Sequence, residues 1–163
     1  MSSSLVIACD PGASGAFCVL DSKAIIIDLF DMPSISVKVG KSERNRVSAS
    51  LVYTRLKPLR GYIKLAVLEK VGGMTGQSAS AAFTFGSASG IVEGVYAGLE
   101  FPVALVTPQQ WKKDMKLISA DKGLARQMAI RMWPSEAHMF ARVKNSDRAE
   151  AALMAKWGLE SLK

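Results

Sequence analysis

Four acidic residues hold positions from which they could do chemistry: Asp10, Glu69, Asp147 and Glu150. Asp10 closes an apolar run over residues 5–9, and Glu69 closes another over 65–68. Turn-forming residues follow each, Pro11-Gly12 in the first case and a glycine-rich stretch over 71–77 in the second. In open α/β sheets, ligands bind beyond the carboxyl ends of strands, which is where both acids fall. A lone Asp at such a point is as often a turn former. Asp147 and Glu150 are three apart, so on a helix both side chains share a face. Acids in a first helical turn also oppose the macrodipole, which explains that pair equally well.

Carboxylates suit a hard cation, because Mg²⁺ prefers oxygen ligands and keeps several waters. Two such ions about 4 Å apart can activate a water and stabilise a leaving oxygen in phosphodiester hydrolysis. Competing chemistries lack their residues. His138 is the single histidine, so neither a His/Cys zinc site nor a Ser/His/Asp triad can be assembled.

Elements able to position these acids follow from the patterning. Apolar runs over 5–9, 16–20 and 24–30 read as three strands, antiparallel because their connections are too short for a crossover helix. Residues 33–47, rich in Ser, Gly, Lys and Arg, read as a loop. Helical spacing of Leu51, Val52, Leu56, Leu59 and Ile63 predicts a helix from about 48 to 62. A fourth strand over 65–69 precedes a long helix over 78–99, with Phe83, Ile91 and Val95 as its large anchors among small residues. A fifth strand (102–106) leads to a helix begun by Thr107-Pro108. Two further helices follow, from about 120 to 132 and from 146 to 162, the last capped by Ser146. The order predicts one α/β domain spanning residues 1–163, with a mixed sheet.

Composition narrows the partner. The chain of 163 residues carries a net charge of +7 and a pI near 9.6, which favours a polyanion. Residues 38–64 hold eight basic side chains and one acid, whereas the first 31 residues carry a net −3. The basic excess therefore lies away from the strand ends, as suits a protein that grips phosphates beside an acidic metal site. The 33–47 segment is a candidate DNA-contacting arm. Cys9 and Cys18 sit in apolar runs without CxxC spacing, so a reducing cytoplasm fits. No stretch reaches the ~20 apolar residues of a membrane span.

Taken together, four segments resemble the RuvC family of Holliday-junction resolvases within the RNase H-like nucleases: Ile7-Ala8-Cys9-Asp10-Pro11-Gly12 with Gly15-Ala16; Leu68-Glu69-Lys70-Val71; Gly86-Ser87-Ala88-Ser89-Gly90; and Ser146-Asp147-Arg148-Ala149-Glu150-Ala151-Ala152-Leu153. The resemblance covers nearly the whole chain. It implies an RNase H-like fold with a five-stranded mixed sheet in the order 3-2-1-4-5, flanked by helices. It also implies a homodimer, two Mg²⁺ or Mn²⁺ ions per site, and paired nicks across four-way DNA junctions in recombination and repair, in the cytoplasm of a bacterium or a phage-infected cell. By position, Asp10 would bridge the metals, Glu69 would hold the nucleophile-side metal, and Asp147 and Glu150 would complete the set. Lys112 (or Lys113) and Lys122 resemble two helpful lysines of the family, able to contact phosphate or developing charge. The long 78–99 helix would carry the dimer interface.

Two departures stand out. The family's last acid is often Asp, where this chain has Glu150. Family members often carry a stacking aromatic after the catalytic Glu strand, where this chain has Gly72-Gly73-Met74-Thr75-Gly76. Alternatives are a branched-DNA endonuclease of broader specificity and a non-catalytic junction-binding module. An actin-like or sugar-kinase ATPase shares the Asp10-Pro11-Gly12 type of turn but needs two such domains, and no GxxxxGK[ST] loop is present.

Overall fold

Residues 5–10 are apolar up to the last, and in the computed structural model they form β1 (Leu5–Asp10), buried along its whole length. The structure describes residues 4–70, 72–73, 75–117 and 122–163. β2 (Ala16–Leu20) and β3 (Ile26–Asp31) follow as antiparallel neighbours. After a further hairpin of β4 (Ser34–Val39) and β5 (Ser42–Val47) come α1 (Ala49–Leu56) and β6 (Ile63–Glu69). Then follow α2 (Ala79–Gly98), β7 (Val103–Val106), α3 (Pro108–Asp114), α4 (Lys122–Met132) and α5 (Ser146–Ser161). The expected start of the fourth helix, near residue 120, lies outside the described residues.

The main sheet runs β3-β2-β1-β6-β7, with β6 and β7 parallel to β1. Counting only its own strands, this is the expected order 3-2-1-4-5. Alternation along β1 feeds two cores. Leu5, Ile7 and Cys9 pack with α1 and α2, whereas Val6 and Ala8 pack with α3, α4 and α5. Cys9 and Cys18, both free and buried, fall in opposite cores and so cannot pair. Among the described residues no helix is long and apolar enough to cross a membrane.

Helix α5 lies unusually close to the sheet. A Cβ on Gly158 would stand 2.5 Å from Val67 Cγ2 and 3.2 Å from Val6 Cγ1. The buried Ala149, Ala151, Ala152 and Ala155 on the same helix serve the same approach. Its small residues therefore set how near the first turn of α5 comes to the strand ends.

Three expectations are corrected. Residues 34–47 are not a loop but an antiparallel hairpin, closed by Gly40-Lys41 with Gly40 at φ +62. Its Ile35-Val37-Val39 alternation followed by a Gly turn is a hairpin signal hidden beneath a polar composition. Ser146 does not cap α5: it is the first helical residue and its hydroxyl donates to the Val143 carbonyl, while Asn145 occupies the cap position. Phe83 is no core anchor but is 78% exposed, because the first turns of α2 extend beyond the sheet.

Candidate active site

Asp10 and Glu69 end adjacent parallel strands. The register pairs Ala8 with Val67 and Cys9 with Leu68, so the next positions along are Asp10 and Glu69. Neighbouring strands lie about 4.8 Å apart. Alternation points both side chains to the α5 side, continuing the rows Val6-Ala8 and Leu65-Val67. Both are nearly enclosed, at 8% and 7% exposure, although carboxylates are rarely buried without a reason.

Behind Asp10 the chain turns sharply. Gly15 N–H donates to the Gly12 carbonyl at 3.1 Å, and a Cβ on Gly15 would stand 2.0 Å from the Asp10 carbonyl oxygen. Only glycine fits there. The turn sends β2 back beside β1 and leaves the Asp10 carboxylate at the open end of the sheet.

Asp147 and Glu150 come from the first turns of α5, which point at the same end. Arg148, between them, makes two bonds to Asp31 at the end of β3, at 2.6 and 2.8 Å. This fork ties the first turn of α5 to the sheet and holds the Asp31 carboxyl below its usual range. Helix α3 supplies two more groups. The fully buried Trp111 donates its indole N–H to Glu69 Oε1 at 2.9 Å. Lys112 Nζ meets Glu150 Oε1 at 3.0 Å. Lys113, the alternative, is exposed, so Lys112 is the lysine that faces the acids. The side chain of Lys122 and the whole of Met74 lie outside the described residues.

Electrostatics show that the four acids share one neighbourhood. Burial pushes Asp10 well above the usual carboxylate range, and the charges of Glu69, Asp147 and Glu150 push it further; Lys112 opposes them. Glu69 is raised chiefly by burial and also by Glu150 and Asp147, against the pull of the Trp111 hydrogen bond and Lys112. Among the described residues no three acids converge tightly enough to form a ready coordination group. Glu150 is engaged by Lys112, and Glu69 by Trp111. The donor chemistry nevertheless fits a hard divalent cation: four carboxylates, two of them buried and mutually repelling.

Sequence reasoning missed Trp111, Arg148 and Asp31. Nothing local links Trp111 to Glu69, 42 positions earlier, or Arg148 to Asp31, 117 positions earlier.

The basic surface also differs from the regional count. Arg55 pairs with Asp28 and lies over the Phe30 ring, and Arg60 pairs with Glu100. The hairpin keeps Lys38, Lys41, Arg44 and Arg46. It does not stand away from the acids: Arg44 and Arg46 line the same cleft as Asp10 and Asp147.

This arrangement of strands and helices has counterparts among solved structures. One, T. thermophilus RuvC in complex with Holliday junction substrate, aligns over 95% of this chain and 96% of its own at TM-score 0.56 and 15% identity. The chain has a RuvC-like fold. A second T. thermophilus RuvC structure aligns over 94% and 96% at TM-score 0.49, again at 15% identity. No family model and no curated protein sequence matches the chain. The RuvC likeness establishes a mixed five-stranded sheet of the RNase H-like class; the site stands on its own geometry.

Proposed function

We propose that this chain is a divalent-metal-dependent endonuclease that cuts four-way DNA junctions by paired nicks. The observation that carries this reading is the side-by-side placing of Asp10 and Glu69 at the carboxyl ends of two central parallel strands, with Asp147, Glu150 and Lys112 near enough to act on their charge. Asp10, Glu69, Asp147 and Glu150 would hold Mg²⁺ or Mn²⁺. When bound, such ions supply a hydroxide-like nucleophile and stabilise the leaving oxygen. Asp10, next to Glu69 and within the charge influence of Asp147 and Glu150, would be the central ligand of that set. Trp111 orients Glu69 and, by donating to its carboxylate, favours the charged form against the burial that raises its pKa. Lys112 keeps Glu150 in place and brings a positive charge to where phosphate charge develops. Lys122 is proposed for the same kind of role from its position in the sequence.

Paired cutting calls for two copies of the site. Helix α2 offers a face for this: Gly86, Gly90, Gly94 and Gly98 recur every fourth residue, and a Cβ on any of them would meet open space. Small residues in such a row let two helices approach closely. We assign the homodimer contact to this face. The T. thermophilus RuvC complex holds a Holliday junction, and the same class of substrate is proposed here; the basic hairpin supports a branched polyanion.

A second reading is a branched-DNA nuclease of broader specificity. It is favoured by the exposed Gly72 and Gly73 after β6, which offer no side chain to open a junction. A Mg²⁺-dependent cleavage panel of four-way, three-way, flap and linear duplex DNA separates the two. Four-way junctions are expected to be cut at least tenfold faster than the others. Equal rates on all branched forms would replace the first reading with the second. Junction binding without cleavage in either Mg²⁺ or Mn²⁺ would leave only a binding module.

A further inference from the structure

The cleft that opens beside Asp10 is larger than a metal site requires. Its volume is about 1090 Å³, just above the ~300–1,000 Å³ typical of ligand pockets. One wall is the hairpin. Cross-strand pairing joins Val37 with Arg44 and Ile35 with Arg46, so these residues share a face, and Val37, Arg44 and Arg46 line the cleft. The pair Lys38–Glu43 and the Ser36–Glu43 hydrogen bond fall on the other face. The described ion pairs engage neither Arg44 nor Arg46. The first turns of α2 also line it, and there Phe83 is 78% exposed. Phe85 covers Gly12, where an added Cβ would stand 3.5 Å from its ring, and it reaches both this cleft and the smaller pocket beside Glu69.

An exposed phenyl ring and two guanidiniums in no described ion pair line one cleft, and that combination has a definite chemistry. A large apolar ring left in water gains by covering a flat partner, and a nucleobase provides one. Arginines at phosphate spacing grip the backbone without reading its sequence. Both features at once fit an unpaired strand, because the bases of a duplex are already stacked on each other. We propose that the hairpin and the start of α2 form a single-strand clamp, in which Phe83 stacks on an unpaired base and Arg44 and Arg46 hold the phosphates that lead to Asp10. This rests on the nuclease reading of the same site for its purpose, though not for its test. It also gives the chain a stacking aromatic on a helix, where the 70–78 segment between β6 and α2 contains none.

The test needs no cleavage. Fluorescence anisotropy in metal-free buffer would follow a labelled 12-nucleotide single strand, and a matched blunt duplex, on the full chain. Phe83→Ala is expected to weaken single-strand binding about 5- to 150-fold, the range for loss of one stacked base, and to leave duplex binding unchanged. Phe83→Trp should restore it; because Phe83 is exposed, neither variant threatens the core. Arg44→Ala with Arg46→Ala should flatten the salt dependence by about 1.4 in log–log slope, at ~0.7 per phosphate on a single strand. Three results would overturn the clamp: no binding of the single strand by the native chain, equal weakening of single strand and duplex by Phe83→Ala, or an unchanged salt slope in the double variant. Absence of metal-dependent cutting with single-strand binding intact would instead remove the nuclease reading and support the clamp as a binding site in its own right.

Discussion

The acidic end of the sheet and the basic hairpin beside it face the same cleft but are held by different forces. Asp10 and Glu69 are fixed by strand register between two hydrophobic cores, and α5 is pressed onto that sheet by Gly158 and a row of alanines. The hairpin has only two strands, and of its residues only Val47 is buried. A two-stranded ribbon is marginal alone, so this one depends on α2 and on Val47 for support. The difference teaches that the groups proposed to do chemistry are placed where a shift costs core packing. Those proposed to grip are placed where the backbone can adapt to a strand.

Breaking the rigid side should have the largest effects. Gly158→Leu forces a side chain into Val67 and Val6, lifts α5 and carries Asp147 and Glu150 away from Asp10. Overpacking of this kind costs typically 1–3 kcal/mol, or more for a helix held this close. The expected result is a fall in melting temperature of at least ~5 °C, at roughly 2–4 °C per kcal/mol, together with loss of cleavage. A melting temperature within 1 °C of the parent's would show that the close approach is unimportant.

Trp111→Phe sharpens the same side. It removes the bond that lowers the Glu69 pKa, so Glu69 should protonate at higher pH. The acid limb of the pH–rate profile is expected to move upward, with about tenfold less activity near pH 6 and a smaller deficit near pH 8. A parallel loss at every pH would mean that only packing had changed.

The raised pKa values of Asp10 and Glu69 also predict the sign of a stability effect. The folded metal-free protein binds more protons than the unfolded chain between the ordinary carboxylate range and the raised values. Stability therefore falls as pH rises through that window. Asp10→Asn removes a group whose charged form is opposed by burial and by its neighbours, so without metal it should melt higher than the parent at the upper end of that pH window. A lower melting temperature would contradict the repulsion.

On the compliant side, replacing residues 36–45 by a short Gly-Ser link should leave the melting temperature within about 2 °C and raise the KM for junction DNA at least tenfold. A collapse in stability would show that the hairpin is a structural brace.

What the sequence disclosed follows the same division. β1 and β2 are buried on both faces, so their apolar runs were visible, and the acids at the ends of β1 and β6 stood out against them. Register then brought Asp10 and Glu69 together without any further signal. The hairpin was obscured because its outward positions are Ser, Lys, Glu, Asn and Arg, which hide the alternation of Ile35, Val37 and Val39. Trp111 and Arg148 reach their partners across 42 and 117 residues, and such pairings exist only in the folded chain. Phe83 looked like an anchor because helical spacing does not show where a helix outruns the sheet beneath it.

The central claim, that these carboxylates cut DNA with a divalent metal, is tested most directly by single-turnover cleavage of a synthetic four-way junction in Mg²⁺. The parent chain should cut the junction and lose all cutting in EDTA. Asp10→Asn should cut at least 10³-fold more slowly while binding the junction as the parent does. Cleavage by Asp10→Asn at the parental rate would contradict the assignment.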